Sequence, residues 1–459
     1  MEHSFIGSAI YIKWICSQKH LVHQWCSQPL LNRKIGSGDF LICSTILTSG
    51  NNFSKLLLWA NQLNIKFPSP GCFHSIQRIY VLPTVEDAWK ENQAEVIAEL
   101  RDREVVLMGD GRNDSPGHSA QYCSYTLMEY NTKKIVTLQT IDKRQTERKS
   151  VNMEKRGFIQ ALKEVKDNGL AVKEVVTDAH TGISSVMKTQ YPDMKHSYDI
   201  WHVAKNLGKK IVKVSQKKQN AILIQWSRDI INHFWFSCQK AENYSEFVGI
   251  WRSVLHHITN QHEWITPHGG GLHHCLHEPL DETDRNKPWL DPSKHSTVLK
   301  DLTDIVLDQR LLKKVGYFLN FRSTADLEGF HQHILMYCPK RFAYTPPVYR
   351  TRNILAALDH NQNANRGVQK NKDGTTRYHR TYNKKSGRWT VYPCREQKNF
   401  DYVQDIHFKA LWKRLNDKIG MYRRVTLDPS DARAICRTLA PVEPPPTPEL
   451  AQVHQSRYK

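Results

Sequence analysis

The stretch VVLMGDGRNDSPGHSAQYCSYTLMEY, residues 105–130, is the part of the sequence that decides the fold. An apolar run leads into Gly-Asp-Gly, turn-forming residues follow, and a second β-type segment begins near residue 121. Glycine permits tight backbone geometry and the close approach of a ligand. Asp110 therefore ends a buried strand where a carboxylate either caps a turn or binds a metal ion. The presence of further metal-binding residues elsewhere in the chain decides between these alternatives.

The segments that follow continue a series of strands and helices. The predicted strands are residues 105–110, 121–130, 133–141, 171–178 and 195–199, and the predicted helices are residues 152–169, 182–191 and 200–215. The order β-β-β-α-β-α-β-α predicts a mixed sheet flanked by helices, so the fold class is α/β. It is the order of a ribonuclease H-like sheet, in which the first and fourth strands are neighbours.

Three acidic residues end predicted strands, namely Asp110, Asp178 and Asp199. A single Asp at such a place usually caps a turn or a helix. Three such residues in one series of strands favour a ligand-binding site, because open α/β sheets bind ligands at the carboxyl ends of their strands. In a ribonuclease H-like sheet Asp110 and Asp178 face each other, and two such carboxylates repel unless a cation lies between them. Mg²⁺ ions take oxygen ligands, and a pair of them can hold both reacting oxygens of a phosphodiester.

A third acid for such a site is expected on a later helix. Residues 205–320 are helical and rich in Trp and His, which predicts an all-α insertion before that helix. The stretch RSTADLEGFHQHILMYCPKRF then predicts a helix after Thr324, with Leu327 and Phe330 pointing inward and Glu328 at the edge of that face. The alternative for Glu328 is an ordinary surface residue.

Four motifs taken together resemble the catalytic core of a eukaryotic cut-and-paste DNA transposase. They are MGDGRNDSPGHSA, VVTDAH, YDIWHVAKNL and LEGFHQHILMYCPKR…LAALDHNQN. The nearest group is the Kolobok-like superfamily, and the helical insertion is similar to that of hAT transposases. The resemblance covers roughly residues 30–410.

The resemblance implies an Asp-Asp-Glu (DDE) catalytic triad that binds Mg²⁺ or Mn²⁺, carried here by Asp110, Asp178 and Glu328. A C/D-x-x-H motif of these superfamilies fits the sequence DIWH, which makes Asp199 and His202 supporting residues. It also implies DNA cleavage followed by strand transfer, as in DNA recombination, and a homodimer or higher oligomer that pairs two element ends.

One feature departs from the family. Its members usually carry an N-terminal zinc-dependent DNA-binding module such as a THAP domain, and no C-x₂₋₄-C…C-x₂-H pattern occurs in this sequence. A truncated or domesticated copy is therefore one interpretation, and a catalytically inactive DNA-binding protein is the main alternative function. A nuclease that cleaves without joining is a second alternative, which the long insertion disfavours.

The composition agrees with a nucleic-acid partner. The 459 residues include 65 Lys and Arg against 45 Asp and Glu, a formal net charge of +20. This charge favours a polyanionic partner, most simply DNA. The ten cysteines form no C-x-x-C pair, which favours a reduced intracellular protein. Without a long apolar run or a signal-like start we expect no membrane span and a location in the nucleus.

A His-rich loop, NQHEWITPHGGGLHHCLHEPL, offers ligands for a structural zinc ion. The candidates are His262, Cys275 and His277, with further histidines at 268, 273 and 274. Zinc binds such ligands tetrahedrally, but the usual C-x-x-C spacing is missing. A solvated loop is the alternative.

A basic segment with interleaved aromatic residues predicts a DNA-contacting surface. Residues 366–424 hold sixteen Lys and Arg against five Asp and Glu, and TTRYHRTYNKKSGRWTVYPC predicts a hairpin. Basic groups neutralise phosphates and aromatic rings stack on unpaired bases, although buried core aromatics are the alternative. The predicted DNA-binding residues are Lys205, Lys209, Lys340, Arg341, Arg377, Arg380, Lys384, Lys385 and Arg388.

The predicted domain organisation has six parts. They are a mostly helical segment with a DNA-binding or dimerisation role (1–100), the first part of the catalytic domain (101–215), the helical insertion (216–320), the last catalytic helix (321–365), the basic aromatic-rich region (366–430) and a Pro-rich disordered tail (431–459).

Overall fold

The computed structural model describes residues 1–116, 119–278, 280, 287–319, 321–384, 387–423, 426–429 and 431–454. The strands, in chain order, are β1 (Glu2–Ile6), β2 (Ala9–Ile15), β3 (Leu21–Cys26), β4 (Leu30–Leu31), β5 (Ile35–Gly36), β6 (Val105–Asn113), β7 (Tyr122–Glu129), β8 (Ile135–Asp142), β9 (Val172–Thr177), β10 (Lys195–Tyr198), β11 (Tyr378–Asn383) and β12 (Arg388–Pro393). The helices are α1 (Ser37–Thr48), α2 (Phe53–Gln62), α3 (Pro70–Ile76), α4 (Leu82–Leu100), α5 (Met153–Asp167), α6 (Thr181–Gln190), α7 (Ile200–Ser215), α8 (Leu223–Lys240), α9 (Tyr244–Arg252), α10 (Val254–His257), α11 (Ser296–Val306), α12 (Gln309–Leu312), α13 (Ala325–Tyr337), α14 (Pro346–Asn363), α15 (Asp401–Leu415), α16 (Ala432–Ile435) and α17 (Thr447–Gln452).

Five strands form a mixed sheet in the order β10-β9-β6-β7-β8. β10 is parallel to β9 and β9 is parallel to β6, whereas β7 and β8 form an antiparallel hairpin. The predicted series of strands and helices from residue 105 to residue 215 is confirmed, and so is the pairing of its first and fourth strands. The sheet is therefore that of a mixed α/β fold.

The burial of the strands explains why they form the centre of this sheet. Val105, Leu107 and Met108 are buried, as expected for an apolar run in a central strand, and every residue of β7 is buried. α5 covers β7 closely at Gly157, where an added Cβ would lie 2.6 Å from the Cβ of Tyr125. A larger side chain at that position would push the helix away from the strand.

The chain divides into two compact units. The first comprises Met1–Arg103, Gly111–Leu170 and Glu328–Lys459, and the second comprises Glu104–Asp110 and Ala171–Leu327. In the second unit a single hydrophobic core runs from α7 through α8 and α9 to α11 and α12, and its largest fully buried side chain is Trp251. The helices of the predicted insertion therefore share their core with α7.

In the first unit, α14 is a buried helix with a polar sequence. Asp359 is fully buried and contacts His333, Lys398 and Tyr337, with distances of 2.9, 2.8 and 3.0 Å from its Oδ2. Asn361 accepts a hydrogen bond from the backbone N–H of Ile135 and donates one to its carbonyl oxygen. The Asp359 contacts attach α14 to α13 and to Lys398, and the Asn361 contacts attach it to the beginning of β8.

The N-terminal hundred residues differ in part from the prediction of a mostly helical segment. β1, β2 and β3 form an antiparallel three-stranded sheet, and the helices begin only at Ser37. The stretch AIYIKWI explains the difference, because Ala9 and Tyr11 are buried while Ile10 between them is exposed. This period of two is typical of a half-buried strand.

The C-terminal region confirms the predicted hairpin. β11 and β12 pair antiparallel, with Tyr382 opposite Trp389. Two short helices, α16 and α17, lie in the segment predicted to be a disordered tail, and the Cys436 carbonyl oxygen just after α16 accepts a hydrogen bond from Arg144. Among the described residues, no helix is both long enough and apolar enough to cross a bilayer.

Candidate active site

Asp110 of β6 and Asp178, the residue after β9, each follow a member of the last residue pair of two parallel strands. Gly109 of β6 pairs with Thr177 of β9, and each of the two aspartates is the next residue along its own chain segment. Adjacent strands lie about 4.8 Å apart, and residues at the same register of parallel strands point to the same face. The prediction that Asp110 ends its strand is wrong, because β6 continues to Asn113 along its partner β7. The two half-buried residues instead lie where the pairing of β6 with β9 ends.

Asp199 has a different environment, because it is buried and its oxygens are engaged by neighbours. Its side chain is only 1% exposed, and its Oδ1 accepts a hydrogen bond from the backbone N–H of Trp201 at the start of α7. Its Oδ2 accepts a hydrogen bond of 2.6 Å from the Thr324 hydroxyl. These two hydrogen bonds fix the orientation of the Asp199 carboxylate.

His202 connects the buried carboxylate to the accessible one. Its Nδ1 lies 2.9 Å from Asp178 Oδ1 and 3.2 Å from Asp199 Oδ2. Asp178 and His202 are each 34% exposed, so both are accessible to a ligand. The three side chains also form a group whose potential ligand atoms lie within 4.8 Å of one another. The predicted supporting residues therefore lie beside one of the two predicted catalytic aspartates.

A buried ion pair fixes the segment that carries Thr324. Arg322 Nη2 lies 2.9 Å from Glu174 Oε2 of β9, and Glu174 Oε1 accepts a 2.5 Å hydrogen bond from the Ser197 hydroxyl of β10. The carbonyl oxygen of Arg322 also accepts a hydrogen bond from the Ile200 N–H. These contacts hold Thr324 against Asp199. Sequence reasoning missed them because Arg322 and Thr324 are far from β9 and α7 along the chain, with no local pattern that links them.

His196 lies on β10 next to the strand that precedes Asp178. Its Nε2 lies 2.9 Å from the hydroxyl oxygen of Thr177. Burial, and secondarily the charge of Lys188, lowers the pKa of His196 to about 4. The imidazole is therefore neutral at pH 7 and adds no positive charge beside Thr177.

The donor set at the sheet edge suits a hard divalent cation. Asp110 and Asp178 present carboxylate oxygens from adjacent strands, and oxygen ligands are what Mg²⁺ and Mn²⁺ prefer. Two carboxylates held side by side also favour a cation between them, since it removes their mutual repulsion. The chemistry of these residues therefore fits the predicted metal.

Glu328, the third predicted metal ligand, lies in the first turn of α13 and is exposed. It is the first residue of its segment in the first unit, whereas Asp110 and Asp178 belong to the second unit. The role of Glu328 in the triad stays a prediction. Asp326, two residues earlier, is also exposed.

Two of the predicted DNA-binding residues lie on α7, which begins at the acidic group. Lys205 and Lys209 are exposed and four residues apart, so they occupy one face of the helix together with Trp201. The Lys205 Nζ lies 4.3 Å from the centre of the Trp201 ring, which is itself 39% exposed. This face carries a cationic and aromatic stripe.

The other predicted DNA-binding residues belong to the first unit. Lys340 and Arg341 are exposed in the loop after α13, and Lys385 lies outside the described residues. The hairpin residues are also exposed, namely Arg377, Arg380, Lys384 and Arg388. The alternative of buried core aromatics does not hold for Tyr382 and Trp389, which are 48% and 71% exposed.

The three predicted zinc ligands form a group with a fourth side chain that the sequence reasoning missed. His262, Cys275 and His277 come together with His257, the last residue of α10. His257 was missed because it precedes the His-rich loop.

Comparison with known proteins supports a transposase. Residues 129–263 match the sequence model of a family described as Transposase, of the ISL3 type. The match covers less than a third of the chain, and it includes Asp178, Asp199 and His202 but neither Asp110 nor Glu328.

Among solved structures, the chain is distantly similar to the Drosophila P element transposase strand transfer complex, with a TM-score of 0.28 and 10% sequence identity. The alignment covers 70% of this chain and 92% of that chain. No curated protein matches.

Proposed function

We propose that this chain is a transposase that cleaves and joins DNA strands through a ribonuclease H-like catalytic domain with a DDE triad. The observation that supports the proposal is the register of β6 and β9, in which Asp110 and Asp178 directly follow the paired residues Gly109 and Thr177. The match of residues 129–263 to a transposase family supports the same assignment.

The strand order supports the ribonuclease H-like assignment. β6 is the first of the five strands and β9 the fourth, and these two are parallel neighbours. The hairpin β7–β8 lies on the other side of β6 in the sheet order. Assignment to a Kolobok-like superfamily with a hAT-like insertion rests on the sequence motifs, as do the expected nuclear location and the homodimer or higher oligomer.

In this proposal Asp110, Asp178 and Glu328 hold Mg²⁺ or Mn²⁺. When bound, such a cation polarises the scissile phosphate and lowers the pKa of the attacking water. The protein's own residues orient the carboxylates: Asp199 fixes the imidazole of His202, and His202 in turn restrains Asp178. His202 is then a positioning residue for Asp178, and Thr324 is one for Asp199.

DNA contacts in this proposal come from α7 and from the β11–β12 hairpin. Trp201, Lys205 and Lys209 form a stripe that begins two residues after Asp199 and suits a phosphate backbone. On the hairpin, Arg380, Tyr382 and Trp389 lie on one face, because Tyr382 pairs with Trp389 and Arg380 is two residues from Tyr382. Exposed rings beside a guanidinium suit stacking on unpaired bases.

The proposal is tested with supercoiled plasmid DNA, Mn²⁺ or Mg²⁺, and a labelled oligonucleotide with a free 3′-hydroxyl as the joining substrate. Wild type is compared with Asp178→Asn and with Asp193→Asn, a change at an exposed aspartate in the loop between α6 and β10. We expect metal-dependent nicking and joining in wild type and in Asp193→Asn. Asp178→Asn lowers both at least about a hundredfold, because the metal contributes several kcal/mol to transition-state stabilisation.

Three other outcomes of this experiment would each support a different interpretation. Nicking without joining would indicate a nuclease that cleaves DNA but does not join it. DNA binding without any cleavage by the wild type would leave a catalytically inactive DNA-binding protein. Equal activity of Asp178→Asn and wild type would remove Asp178 from the active site.

A further inference from the structure

Four side chains of the second unit surround one point with the donor atoms that zinc prefers. His257, His262, Cys275 and His277 each offer one ligand atom, and these atoms all lie within 4.8 Å of one another. His257 ends α10, and the other three lie in the His-rich loop that follows. Three imidazoles and one thiolate are a borderline-soft ligand set that suits zinc better than the oxygen-preferring Mg²⁺.

The distances between these atoms agree with tetrahedral coordination. His257 Nδ1 lies 3.1 Å from His277 Nε2 and 3.8 Å from Cys275 Sγ. With Zn–N bonds of about 2.0–2.1 Å and a Zn–S bond of about 2.3 Å, a tetrahedral ion separates its ligands by roughly 3.3–3.6 Å. The rings of His257 and His277 stand at 84° to each other, and those of His262 and His277 at 85°. The side chains therefore converge without stacking.

Hydrogen bonds on the outer side of two rings fix which nitrogen faces the centre. His277 Nδ1 donates to the Glu278 carbonyl oxygen over 2.7 Å, which leaves the Nε2 lone pair for a metal. His262 Nε2 lies 3.2 Å from Asn260 Oδ1, so its proton is on Nε2 and its lone pair is on Nδ1. Such outer hydrogen bonds are typical of metal-bound histidines, because they set the tautomer and orient the ring.

The backbone of the loop builds this arrangement. The Cys275 N–H donates to the His262 carbonyl oxygen, and Glu263 and His274 form an antiparallel bridge, so positions 262 and 275 lie opposite each other. Trp289 supports the group from one side, with its ring 5.6 Å from that of His257 and 5.8 Å from that of His262. Cys275 is buried. A preformed, partly enclosed pocket results.

We propose that His257, His262, Cys275 and His277 bind one structural zinc ion that closes the loop after α10. Four protein ligands complete the tetrahedral shell and leave no position for a substrate, which is the pattern of structural rather than catalytic zinc. The ion connects α10 to a loop with few apolar residues, so the loop depends on the metal for its fold. This site is separate from the acidic site and does not rest on the proposed function.

Neighbouring histidines on α10 and in the loop make other contacts, and one of them supplies a matched control. His256 and His268 contact each other at 2.9 Å and flank Trp264, and neither belongs to the group of four. His273 is exposed, and its carbonyl oxygen accepts from the Trp264 N–H, a backbone bond that an Ala at 273 preserves. His273→Ala thus removes an imidazole from the loop without touching the site.

The test measures the metal content of the full chain purified from zinc-supplemented cells. Elemental analysis by mass spectrometry compares wild type, Cys275→Ser, His257→Ala and His273→Ala. We expect one zinc per chain in wild type and in His273→Ala. A loss of at least about tenfold is expected in Cys275→Ser and His257→Ala. In parallel, Co²⁺ is exchanged into the wild-type protein, where it gives tetrahedral absorption bands together with a thiolate-to-cobalt band.

The cobalt spectrum keeps the proposal testable if the two ligand variants fail to fold, since it needs only the wild type. Wild type without zinc, and without a thiolate-to-cobalt band, would overturn the proposal and leave a hydrogen-bonded histidine cluster. Zinc retained at one per chain in both ligand variants would place the ion elsewhere and would also overturn it.

Discussion

Two aspartates of the acidic site, Asp178 and Asp199, differ in their surroundings although each follows a strand. Asp199 is 1% exposed and accepts hydrogen bonds from the Trp201 N–H and the Thr324 hydroxyl. Asp178 is 34% exposed and contacts His202. A carboxylate that already has several donors orients its neighbours, whereas an accessible one is available to a metal ion. In the proposed site Asp199 therefore has the orienting role and Asp178 the metal-binding role.

The positioning role of His202 predicts a specific pattern of rescue. His202→Ala removes the Nδ1 donor between the two carboxylates, and we expect plasmid nicking to fall about tenfold to a hundredfold, with plasmid affinity unchanged. His202→Asn places an amide N–H near the position of Nδ1 and restores part of the rate. Nicking rates and plasmid affinities of the three proteins check this prediction. Equal losses in the Ala and Asn variants, or none, would contradict it.

The buried His196 predicts a pH dependence of stability. Its folded-state pKa of about 4 lies below the ordinary value of 6.5, so folding keeps the ring neutral. The resulting stability is complete above pH 6.5 and is lost as the pH falls from 6.5 towards 4. Between pH 7.5 and pH 5 we expect wild type to lose about 2 kcal/mol more unfolding free energy than His196→Gln. Urea unfolding at both pH values measures this, and parallel losses would contradict it.

Among the elements, α14 shows how a buried polar helix is stabilised. Burial raises the pKa of Asp359, but the hydrogen bonds from His333 and Lys398 outweigh this effect and bring its pKa to about 2. The charged carboxylate therefore stabilises the first unit at neutral pH, and this contribution is lost as the pH falls below about 4 towards 2. The helix is fixed by charge and hydrogen bonds as much as by apolar contact.

We expect the removal of the Asp359 charge to cause a large loss of stability. Asp359→Asn leaves Lys398 and His333 without their anion, and we expect the free energy of unfolding to fall by about 3 kcal/mol at pH 7. Asp102→Asn, a change at an exposed residue, serves as the control and is expected to have little effect. Urea unfolding curves of the three proteins measure the difference. A stability loss no larger than that of the control would contradict the prediction.

The face of α7 that carries Lys205 and Lys209 predicts a salt-dependent contribution to DNA affinity. Each Lys→Ala change removes about one phosphate contact, so the slope of log affinity against log salt becomes shallower by about 1. Affinity falls by a similar factor for all DNA sequences tested. Fluorescence anisotropy at several salt concentrations measures the slope, with Lys294→Ala, in an exposed loop before α11, as control. An unchanged slope in both single variants would contradict the assignment.

At the scale of the elements, the sequence predicted the strands and helices from residue 105 to residue 215. Their signals are local: continuous apolar runs in β6, β-branched hairpin strands, and the apolar face of α5 with Phe158 and Leu162 buried. Gly169 after α5 has the positive φ of 80° expected for a helix C-terminus. The N-terminal sheet β1–β3 was missed, since only Ala9 and Tyr11 of its apolar residues are buried.

For the whole molecule, the sequence predicted which residues form the sites better than it predicted which distant side chains contact them. Asp178, Asp199 and His202 came from strand ends and a short motif. The contact from Thr324 to Asp199, and the zinc ligand His257, came only from the structure. Both contacts join residues that are distant along the chain. No local sequence pattern shows which distant side chains meet.

The net charge of +20 is a property of the whole molecule. Exposed Lys and Arg occur on α7 of the second unit and on the β11–β12 hairpin of the first unit. Each of these basic surfaces, considered by itself, suits contact with a DNA phosphate backbone.

The central claim is that Asp110 and Asp178 together bind a divalent cation, and Mn²⁺ binding tests it most directly. Electron paramagnetic resonance of the zinc-loaded full chain measures free Mn²⁺ during a titration, for wild type, Asp110→Asn, Asp178→Asn and the control Asp193→Asn. We predict that each of the first two changes weakens Mn²⁺ binding at least about tenfold, or about 1.4 kcal/mol, while the control binds as wild type does. Mn²⁺ affinity that is unchanged in both Asp110→Asn and Asp178→Asn would contradict the claim.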